Sequence, residues 1–468
     1  MSSCELFLRG LTQLQVAASG SWFYRLLCTG PMHSDPFVCD GKPDSPSTRA
    51  GDRCQYSINV MALSEPTGGG RFPGVTSLLV PSPPSPTMEG RAAATFELVR
   101  AWMFSDAMSR LLEAFGEVLP ASGMAWTPGD SAFDWLHLNE DFPSWVDALV
   151  GGTGDRRLAD DQLDVVRRAL AIERLAADDF NFRSRDGVEY KERSQAVEAD
   201  FSDDLRRLVH TQADDLGLVT PVEARYRTYD RTLVLGGGYR SPLLRARYAK
   251  VLQSQGIDLG ALYFLGSPRF LIADPPERPK VESYAPAATD EFDLMAAAGC
   301  AEFGLSAAAV ELVCGCASVE MSCPRWKERD DPQAGDTPAA YTHERKQVLT
   351  DAAGEPAAVV LSASTGRPPY RPDTSDTFAL WGRIAQPRHG ERILIVTTQV
   401  FVPFQTFDGV RQLQLRSGVD IDVVGFGAEW GDRVLTAEYL LQEVLSAIRS
   451  ARRLLVDAAA ILTGPPAP

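Results

Sequence analysis

From Asp230 onward, short apolar runs alternate with longer amphipathic stretches, and this alternation constrains the fold more than any other feature of the sequence. Such an alternation is typical of βα units, which build a parallel sheet flanked by helices. It predicts an α/β fold, a Rossmann-like domain over residues 226–460. The strands are predicted at Thr232–Leu235, Leu259–Leu265, Ala357–Ser362, Arg392–Thr398 and Ile421–Phe426, and the helices at Pro242–Gln253, Ala288–Phe303, Ser375–Ile384, Pro403–Arg416 and Arg433–Leu455.

The residues before this domain are predicted to divide into two parts. Residues 88–225 contain amphipathic segments of helical period, at 92–115, 134–150, 159–177 and 194–215, and predict a helical domain. Residues 1–87 show no sustained period and are rich in proline before Met88. They are expected to be a disordered tail, or an extension upstream of a true start codon at Met88, which is the interpretation we favour. A chain that begins at Met88 is then expected to be as stable as the full chain.

Composition restricts the partners. The formal net charge is −16 and the sequence pI is about 4.9, so a nucleic-acid backbone or an anionic membrane surface would repel the chain on average. No apolar run approaches the roughly 20 residues of a membrane helix, and the first residues lack a basic start followed by an apolar core. We therefore expect a cytoplasmic protein that binds a small-molecule ligand, without nucleic acid and without membrane insertion. The oligomeric state stays open.

The first predicted strand runs into three glycines, Gly236, Gly237 and Gly238, and then into Ser241-Pro242. Serine is a preferred N-cap and proline is tolerated at the first helical position, so this stretch predicts a strand, a tight loop and a helix start. Glycines permit positive φ and the close approach of a ligand, while a helix N-terminus attracts an anion. The loop is therefore a predicted site for an anionic or nucleotide-like ligand, with a plain βα turn as an equal alternative.

Charged side chains follow several predicted strands, and ligands of open α/β sheets bind outside the carboxyl ends of the strands. Arg240, Arg245 and Arg269 would hold a carboxylate or phosphate through paired hydrogen bonds. Glu291 and Asp376, the candidate catalytic residues, would bind ribose hydroxyls or act as a general base if burial raised their pKa. The alternative for each is ordinary: an arginine in a surface ion pair, or a solvated carboxylate. Replacing an exposed Arg245 is expected to weaken ligand binding with little effect on stability.

A polar, turn-rich insert is predicted at about residues 305–356, and it holds three cysteines and a histidine. With Cys300 just before it, Cys314, Cys316, Cys323 and His343 offer ligands for zinc. The cysteine spacing lacks the paired C-x2-C motifs typical of structural zinc sites, and unligated cysteines are often buried as small apolar side chains. We therefore predict free thiols and no bound metal.

Five segments, in their order along the chain, resemble the YdcF/SanA/ElyC-like family. They are Leu233-Val-Leu-Gly-Gly-Gly238, the helix with Arg245, Arg247 and Tyr248, Thr289-Asp-Glu-Phe-Asp-Leu-Met295, Arg371-Pro-Asp-Thr-Ser-Asp-Thr377 and Ile393-Leu-Ile-Val-Thr-Thr398. The resemblance covers about residues 230–427 and implies a Rossmann-type domain, with S-adenosylmethionine binding associated with YdcF and envelope barrier functions with SanA and ElyC. It implies pocket positions for Gly236, Gly237, Gly238, Arg245, Glu291 and Thr374; Thr398 and Gln399, at a neighbouring strand end, complete the predicted ligand-binding residues.

The chain departs from the family's pattern after the predicted strand that ends at Thr398. There the family carries a histidine and an arginine, and the same offsets hold Phe401 and Phe404 here, while Asp376 and Thr377 replace Glu and Asn. The resemblance therefore indicates a diverged, actinobacterial-type branch. Two hypotheses remain. The first is an enzyme acting on a nucleotide-like or phosphorylated ligand, with S-adenosylmethionine as the candidate, and the second is a non-catalytic ligand-binding or scaffold protein that lost these polar groups.

Overall fold

The computed structural model describes a large part of the chain between residues 79 and 464. The described residues belong to one compact unit, Arg71–Pro468. They are 79–123, 158–182, 199–271, 276–324, 342–364, 372–430 and 434–464. The helix predicted at 134–150 and the start of the helix predicted at 194–215 lie outside these ranges.

Within the described residues, seven strands form one mostly parallel sheet, which confirms the predicted α/β fold. The strands are β1 (Arg231–Leu235), β2 (Ala261–Gly266), β3 (Ser306–Leu312), β4 (Arg345–Thr350), β5 (Pro356–Ser362), β6 (Arg392–Thr398) and β7 (Asp420–Phe426). Their order is β3-β4-β5-β2-β1-β6-β7, and the strands from β5 to β7 in this order run parallel. The five predicted strands coincide with β1, β2, β5, β6 and β7 to within two residues at each end.

The strand order reverses beside β1. The chain runs from β1 to β2, passes to the edge strands β3 and β4, comes back to β5 beside β2, and then crosses to add β6 and β7 on the other side of β1. Val234 of β1 is in register with Phe264 of β2 and with Val396 of β6, so the carboxyl ends of these three strands lie side by side. In open α/β sheets, the crevice at such a switch point receives the ligand. The fold therefore places the candidate site between the carboxyl ends of β1 and β6.

Both faces of the sheet are covered. Leu233 and Leu235 of β1 belong to one hydrophobic cluster and Val234 belongs to another, because successive strand side chains point to opposite faces. The described helices are α1 (Met88–Met103), α2 (Asp106–Glu113), α3 (Asp160–Asp179), α4 (Asp203–Asp215), α5 (Ser241–Ser254), α6 (Arg278–Val281), α7 (Glu291–Phe303), α8 (Thr374–Ala385), α9 (Val402–Gly409), α10 (Leu415–Ser417) and α11 (Ala437–Thr463), with a π-helical turn, Val410–Gln414, between α9 and α10. None of the helices in the described part of the chain is both long and apolar enough to cross a lipid bilayer.

The single helix predicted over residues 92–115 is two helices, α1 and α2. The break falls at Ser105, whose side-chain oxygen accepts a hydrogen bond from the backbone N–H of Met108 at 3.3 Å. A serine at this position caps a new helix, since its oxygen satisfies one of the N–H groups that lack an intrahelical partner. The apolar period continues across the break, and for this reason the pattern alone predicted one helix.

Helices α1 to α4 pack on the α/β part of the chain. The long helix α11 contacts α1, α3, α4 and α9. Trp102 of α1 is fully buried, its ring meets the ring of Phe407 edge to face at 5.4 Å, and its Nε1 donates to the carbonyl of Leu216 at 3.0 Å. Residues on both sides of the predicted boundary at residue 225 therefore belong to one continuous hydrophobic core.

The segment predicted as a polar insert contributes two strands, at residues 306–312 and 345–350, which were not predicted from the sequence. β4 pairs antiparallel with both β3 and β5, which extends the sheet on one side. β3 forms the edge, and its residues from Ser306 to Glu311 are exposed. An exposed edge strand lacks the apolar run by which the other strands were predicted.

Residues 79–87 pack on the core, which corrects the predicted start of the folded part. Leu79 is buried in the main hydrophobic cluster. The carbonyl of Ser82 accepts a hydrogen bond from Nε2 of Gln414 at 2.8 Å. Thr87 is the N-cap of α1, and its side chain accepts a hydrogen bond from a first-turn N–H. An extended proline-rich segment has no periodic pattern of apolar residues, so the sequence does not reveal this docking. Its hydrogen bonds to the core are accepted by backbone carbonyl groups.

A chain that starts at Met88 is therefore expected to be less stable than one that starts at residue 78, by about 2 kcal/mol. The shorter chain loses the Thr87 cap, worth about 1 kcal/mol, and the hydrogen bond accepted by Ser82, worth about 1 kcal/mol. Chemical unfolding of both truncated proteins measures the difference. Equal free energies of unfolding for the two truncated proteins would show that the folded part begins at Met88.

Candidate functional site

The loop after β1 is held close to a carboxylate and to neighbouring backbone. The N–H of Gly236 donates to the carbonyl of Leu265 at 2.6 Å. A Cβ atom on Gly236 would lie 1.9 Å from Oε1 of Glu291 and 2.8 Å from the Leu265 oxygen. Gly236, Gly237 and Gly238 all lack positive φ, so of the two predicted reasons for glycine, positive φ does not apply here. The residue at position 236 must be glycine because other groups approach it too closely for a side chain.

Helix α5 follows this loop directly. It begins at Ser241, with Arg240 at the N-cap position and Pro242 in the first turn, so the predicted serine cap is off by one residue. The N–H of Ser241 donates to the carbonyl of Gly238 at 2.9 Å. Arg240 is exposed, and its guanidinium lies 5.6 Å from the ring centre of Tyr239. The helix N-terminus and Arg240 both add positive potential beside the loop.

Arg245 is buried at the switch point, with 2% of its surface exposed. Its guanidinium donates to the carbonyls of Leu235, at 3.1 Å, and Gly236, and it lies 3.4 Å from Oγ1 of Thr398. The same group lies 5.5 Å from the ring centre of Phe401. The exposed arginine predicted from the sequence is thus a buried group that joins the carboxyl ends of β1 and β6. It fixes a positive charge at the crevice.

Glu291 is the first residue of α7 and is buried beside the glycine loop. Its Oε2 accepts a hydrogen bond from Oγ of Ser267 at 3.0 Å. The preceding residue, Asp290, caps α7 by accepting the N–H of Asp293, and it forms an ion pair with Arg345 of β4. Burial raises the pKa of the Asp290 carboxyl, and the Arg345 charge opposes this rise. Glu291 is therefore a held, desolvated carboxylate and not the solvated side chain of the alternative interpretation.

Arg269 is committed to an internal ion pair. Its two terminal nitrogens lie 3.1 and 2.9 Å from the carboxylate oxygens of Glu277, and the two side chains are 9% and 7% exposed. The charge of Arg269 is therefore balanced within the protein. Both of its terminal nitrogens are already engaged by Glu277, and a role of Arg269 in anion binding stays a prediction.

Thr398 and Gln399 lie at the carboxyl end of β6, as predicted. Gln399 is buried, its Nε2 donates to the carbonyl of Gly217 at 2.8 Å, and its Oε1 has no hydrogen-bond partner among the described residues. Thr397 is fully buried on the opposite face of the strand, and its hydroxyl also lacks a partner within the described chain. Thr398 is only partly buried. It is therefore the hydroxyl of this strand end that a ligand can reach.

Thr374 and Asp376 lie in the first turn of α8, which follows β5 and not β1 or β6. Asp373 and Asp376 form a capping box: the N–H of Asp376 donates to Oδ1 of Asp373 at 3.2 Å, and the N–H of Asp373 donates to Oδ2 of Asp376 at 3.0 Å. The carbonyl of Thr374 accepts the hydroxyl of Thr377 at 2.8 Å. Asp376 thus caps its own helix, and its role as a general base stays a prediction.

Three aromatic residues that were not predicted as site residues meet at the carboxyl end of β7. Phe426 ends the strand, Trp430 follows it, and Tyr248 reaches them from α5; their ring centres lie 5.3 to 5.7 Å apart. Burial, assisted by the charge of Glu429, raises the pKa of Tyr248 to about 12. The cluster gives the crevice side of the sheet an aromatic surface. The aromatic cluster could have been predicted from a tyrosine in a predicted helix and a tryptophan after a predicted strand.

A second cluster lies at the β3–β4 edge of the sheet. The ligand atoms of Cys314, Cys316, Cys323 and His343 all lie within 4.8 Å of one another. Cys300, which was grouped with these cysteines in the sequence, belongs to α7 instead. The pairing of β3 with β4 brings His343 to the cysteines, and this could not be read from the cysteine spacing.

The fold and these contacts define a Rossmann-like α/β protein with Arg245 and Glu291 buried at its switch point. No family model matches the chain, and no solved structure matches it. An uncharacterized protein of Mycobacterium bovis is 33% identical to this chain over 248 residues, which is 52% of this chain and 64% of that protein. Uncharacterized proteins from two strains of Mycobacterium tuberculosis are similar with the same identity and coverage. The chain therefore spans less than two thirds of the length of these relatives.

Proposed function

We propose that this protein is a diverged YdcF-like protein that binds a small nucleotide-like or phosphorylated ligand, by an anionic group of that ligand, between the carboxyl ends of β1 and β6. The observation that carries the proposal is the position of Arg245, whose buried guanidinium lies between Gly236 and Thr398 at the switch point. A positive charge held in a crevice attracts an anionic group, and the N-terminus of α5 adds to the same potential.

The surroundings of the loop support a ligand that lies against the backbone. Among the described residues, a Cβ atom on Gly238 would meet only Oε1 of Glu277 within 4 Å, at 3.8 Å, so these residues leave room beside Gly238. A flat heterocycle would find an aromatic surface at Tyr248 and Trp430. S-adenosylmethionine, the candidate drawn from the family resemblance, combines such a ring with a carboxylate and with ribose hydroxyls. These hydroxyls would donate hydrogen bonds to the carboxylate of Glu291.

Catalysis depends on Glu291 in this proposal. It is a buried carboxylate beside the loop, and a desolvated carboxylate is suited to act as a general base. The alternative is a non-catalytic binding or scaffold protein. That alternative is favoured by Phe401, since an apolar ring lies near Arg245 at the position where the family carries histidine.

Replacing Thr398 with valine is expected to weaken ligand binding about tenfold, which corresponds to one lost hydrogen bond of roughly 1.4 kcal/mol. The matched control is Thr397→Val, the same change one residue earlier on the opposite face, which should leave the affinity unchanged. Titration calorimetry with S-adenosylmethionine, ATP and inorganic pyrophosphate measures both variants. Equal affinities in the two variants would move the ligand away from this strand end, and no binding of any of the three probes to the wild type would contradict the proposal itself.

Conversion of a bound probe separates the two hypotheses. Mass spectrometry after incubation should show a product with the wild-type protein and none with Glu291→Gln, which keeps the size of the side chain and its contact with Ser267. Retained affinity in this variant shows that its site is intact. Binding without conversion by the wild type would favour the scaffold hypothesis.

A further inference from the structure

The β3–β4 edge gathers four side chains that are typical metal ligands. Cys314 and Cys316 follow the end of β3, Cys323 lies further along the same connection, and His343 comes two residues before β4. Three of the four are buried, and Cys316 is partly buried. Thiolate sulfur and imidazole nitrogen are the ligands that zinc takes in structural sites.

The distances fit one tetrahedral ion. Sγ of Cys314 lies 3.3 Å from Nδ1 of His343, and Sγ of Cys316 lies 3.5 Å from Sγ of Cys323. In a tetrahedral site, Zn–S bonds of about 2.3 Å and Zn–N bonds of about 2.0 Å separate the ligand atoms by roughly 3.5–3.8 Å. All four ligand atoms lie within 4.8 Å of one another, so a single ion can reach them with small adjustments.

The surroundings orient the histidine as a ligand. Nε2 of His343 lies 2.7 Å from the carbonyl oxygen of Met321. A carbonyl only accepts, so Nε2 carries the proton and the lone pair of Nδ1 is directed to the cysteines. Histidine ligands of zinc are commonly held in this way by a backbone carbonyl. The N–H of Cys323 also donates to Oγ1 of Thr342 at 2.7 Å, which links Cys323 to the residue before His343.

We propose that Cys314, Cys316, Cys323 and His343 bind one zinc ion in a closed Cys3His structural site. Four protein ligands leave no open position for water or substrate, so the ion has a structural and not a catalytic task. This proposal replaces the metal-free thiols expected from the sequence. A disulfide between Cys316 and Cys323 is the competing outcome, but it would not account for the position of Cys314 or the orientation of His343.

The site would fix the start of β4 against the end of β3. Two residues after His343, Arg345 is in register with Ser362 at the carboxyl end of β5 and forms the ion pair with Asp290, which caps α7. A zinc clamp would therefore hold the arginine that supports the helix carrying Glu291. The metal site would thus stabilise the edge of the proposed ligand crevice, while its own test is independent of any ligand.

The test is the zinc content of the purified full chain, measured after dialysis by inductively coupled plasma mass spectrometry. The wild type and the matched control Cys300→Ser are expected to hold one zinc ion per chain, and Cys314→Ser and Cys323→Ser are expected to lose it. Absence of stoichiometric zinc from the wild type would overturn the proposal. So would zinc that persists in both variants, since the ion would then belong to the other cysteines, Cys4, Cys28, Cys39 and Cys54.

A measurement on the wild type covers the case in which the variants fail to fold. Titration with a mercurial that binds thiolates should release the zinc to a colorimetric chelator as three thiols react, and cobalt put in place of zinc should give the visible spectrum of a tetrahedral thiolate site. Reaction of the thiols without stoichiometric release of zinc would contradict the zinc proposal. A mass lower by two hydrogens that reduction restores would contradict it as well and would indicate the Cys316–Cys323 disulfide.

Discussion

Replacing Arg245 with alanine is expected to lower the free energy of unfolding by about 3 kcal/mol. The guanidinium is 2% exposed and donates to the carbonyls of Leu235 and Gly236. Without it, these buried acceptors lose a charged donor, and each buried polar group left unpaired costs about 1–3 kcal/mol. The sequence alone indicated a small effect, because it could not show that the side chain is buried. Chemical unfolding with linear extrapolation measures the change.

The matched control lies two residues further along the same helix. The side chain of Arg247 is 48% exposed and forms an ion pair with Glu302 at 2.8 Å, so Arg247→Ala is expected to cost under about 1 kcal/mol. Arg245→Lys should lie between the two, since an ammonium keeps the charge but not the planar set of donors. Equally small losses for Arg245→Ala and Arg247→Ala would show that the buried contacts do not hold the ends of β1 and β6 together.

This expected loss also decides how ligand assays should be designed. A weaker ligand affinity in Arg245→Ala would mix the lost contact with a disturbed strand end. Thr398→Val leaves the guanidinium in place but also removes its 3.4 Å contact with Oγ1 of Thr398, so the affinity of this variant is compared with its free energy of unfolding.

Replacing Glu173 with alanine is expected to cost about 3–5 kcal/mol, the range for breaking one side of a buried ion pair. Glu173 of α3 is fully buried, its carboxylate lies 2.9 Å from Nε of Arg452, and Nε of Arg449 lies 3.9 Å away. Both arginines belong to α11, so the pair links the N-terminal helices with the C-terminal helix. Removing the carboxylate leaves positive charge buried in a medium of low dielectric constant, which is unfavourable.

Asp161 supplies the control on the same helix. Its side chain is 66% exposed and lies 3.5 Å from Arg100, so Asp161→Ala is expected to change stability by less than about 0.5 kcal/mol. A chain carrying both Glu173→Leu and Arg452→Met should recover most of the loss, because replacing both charges by apolar groups of similar volume is often neutral. Denaturant unfolding of the three variants measures these differences. A loss in Glu173→Ala as small as that of Asp161→Ala would show that the pair does not link the two helices.

The strands show how far local sequence determines the fold. The apolar run from Ile393 to Val396 is fully buried, and the predicted strand has the bounds of β6. β3 shows the limit, since its small residues from Ala307 to Ala309 are exposed. A strand of this kind forms because β4 offers hydrogen-bond partners, and a pairing between distant segments leaves no local period.

The site follows the same division. The glycine loop and Thr398 were predicted beside a crevice because strand ends can be located from apolar runs. The burial of Arg245 was not predicted, since the polar and apolar residues of α5 do not show which face of the helix meets the sheet. The gathering of His343 with three cysteines depends on strand pairing, and C-x2-C spacing is only one of the ways in which a fold can bring such ligands together.

The contact between α1 and α11 has a consequence for the synthesis of the protein. Phe96, Val99 and Trp102 form a buried face of α1, but α11 is the last of the described helices to leave the ribosome. Until α11 has been translated, this apolar face lacks one of its partners and is open to chaperones or to other nascent chains. Contacts between segments so far apart in the chain form slowly, so the native packing of α1 must wait until α11 has been translated.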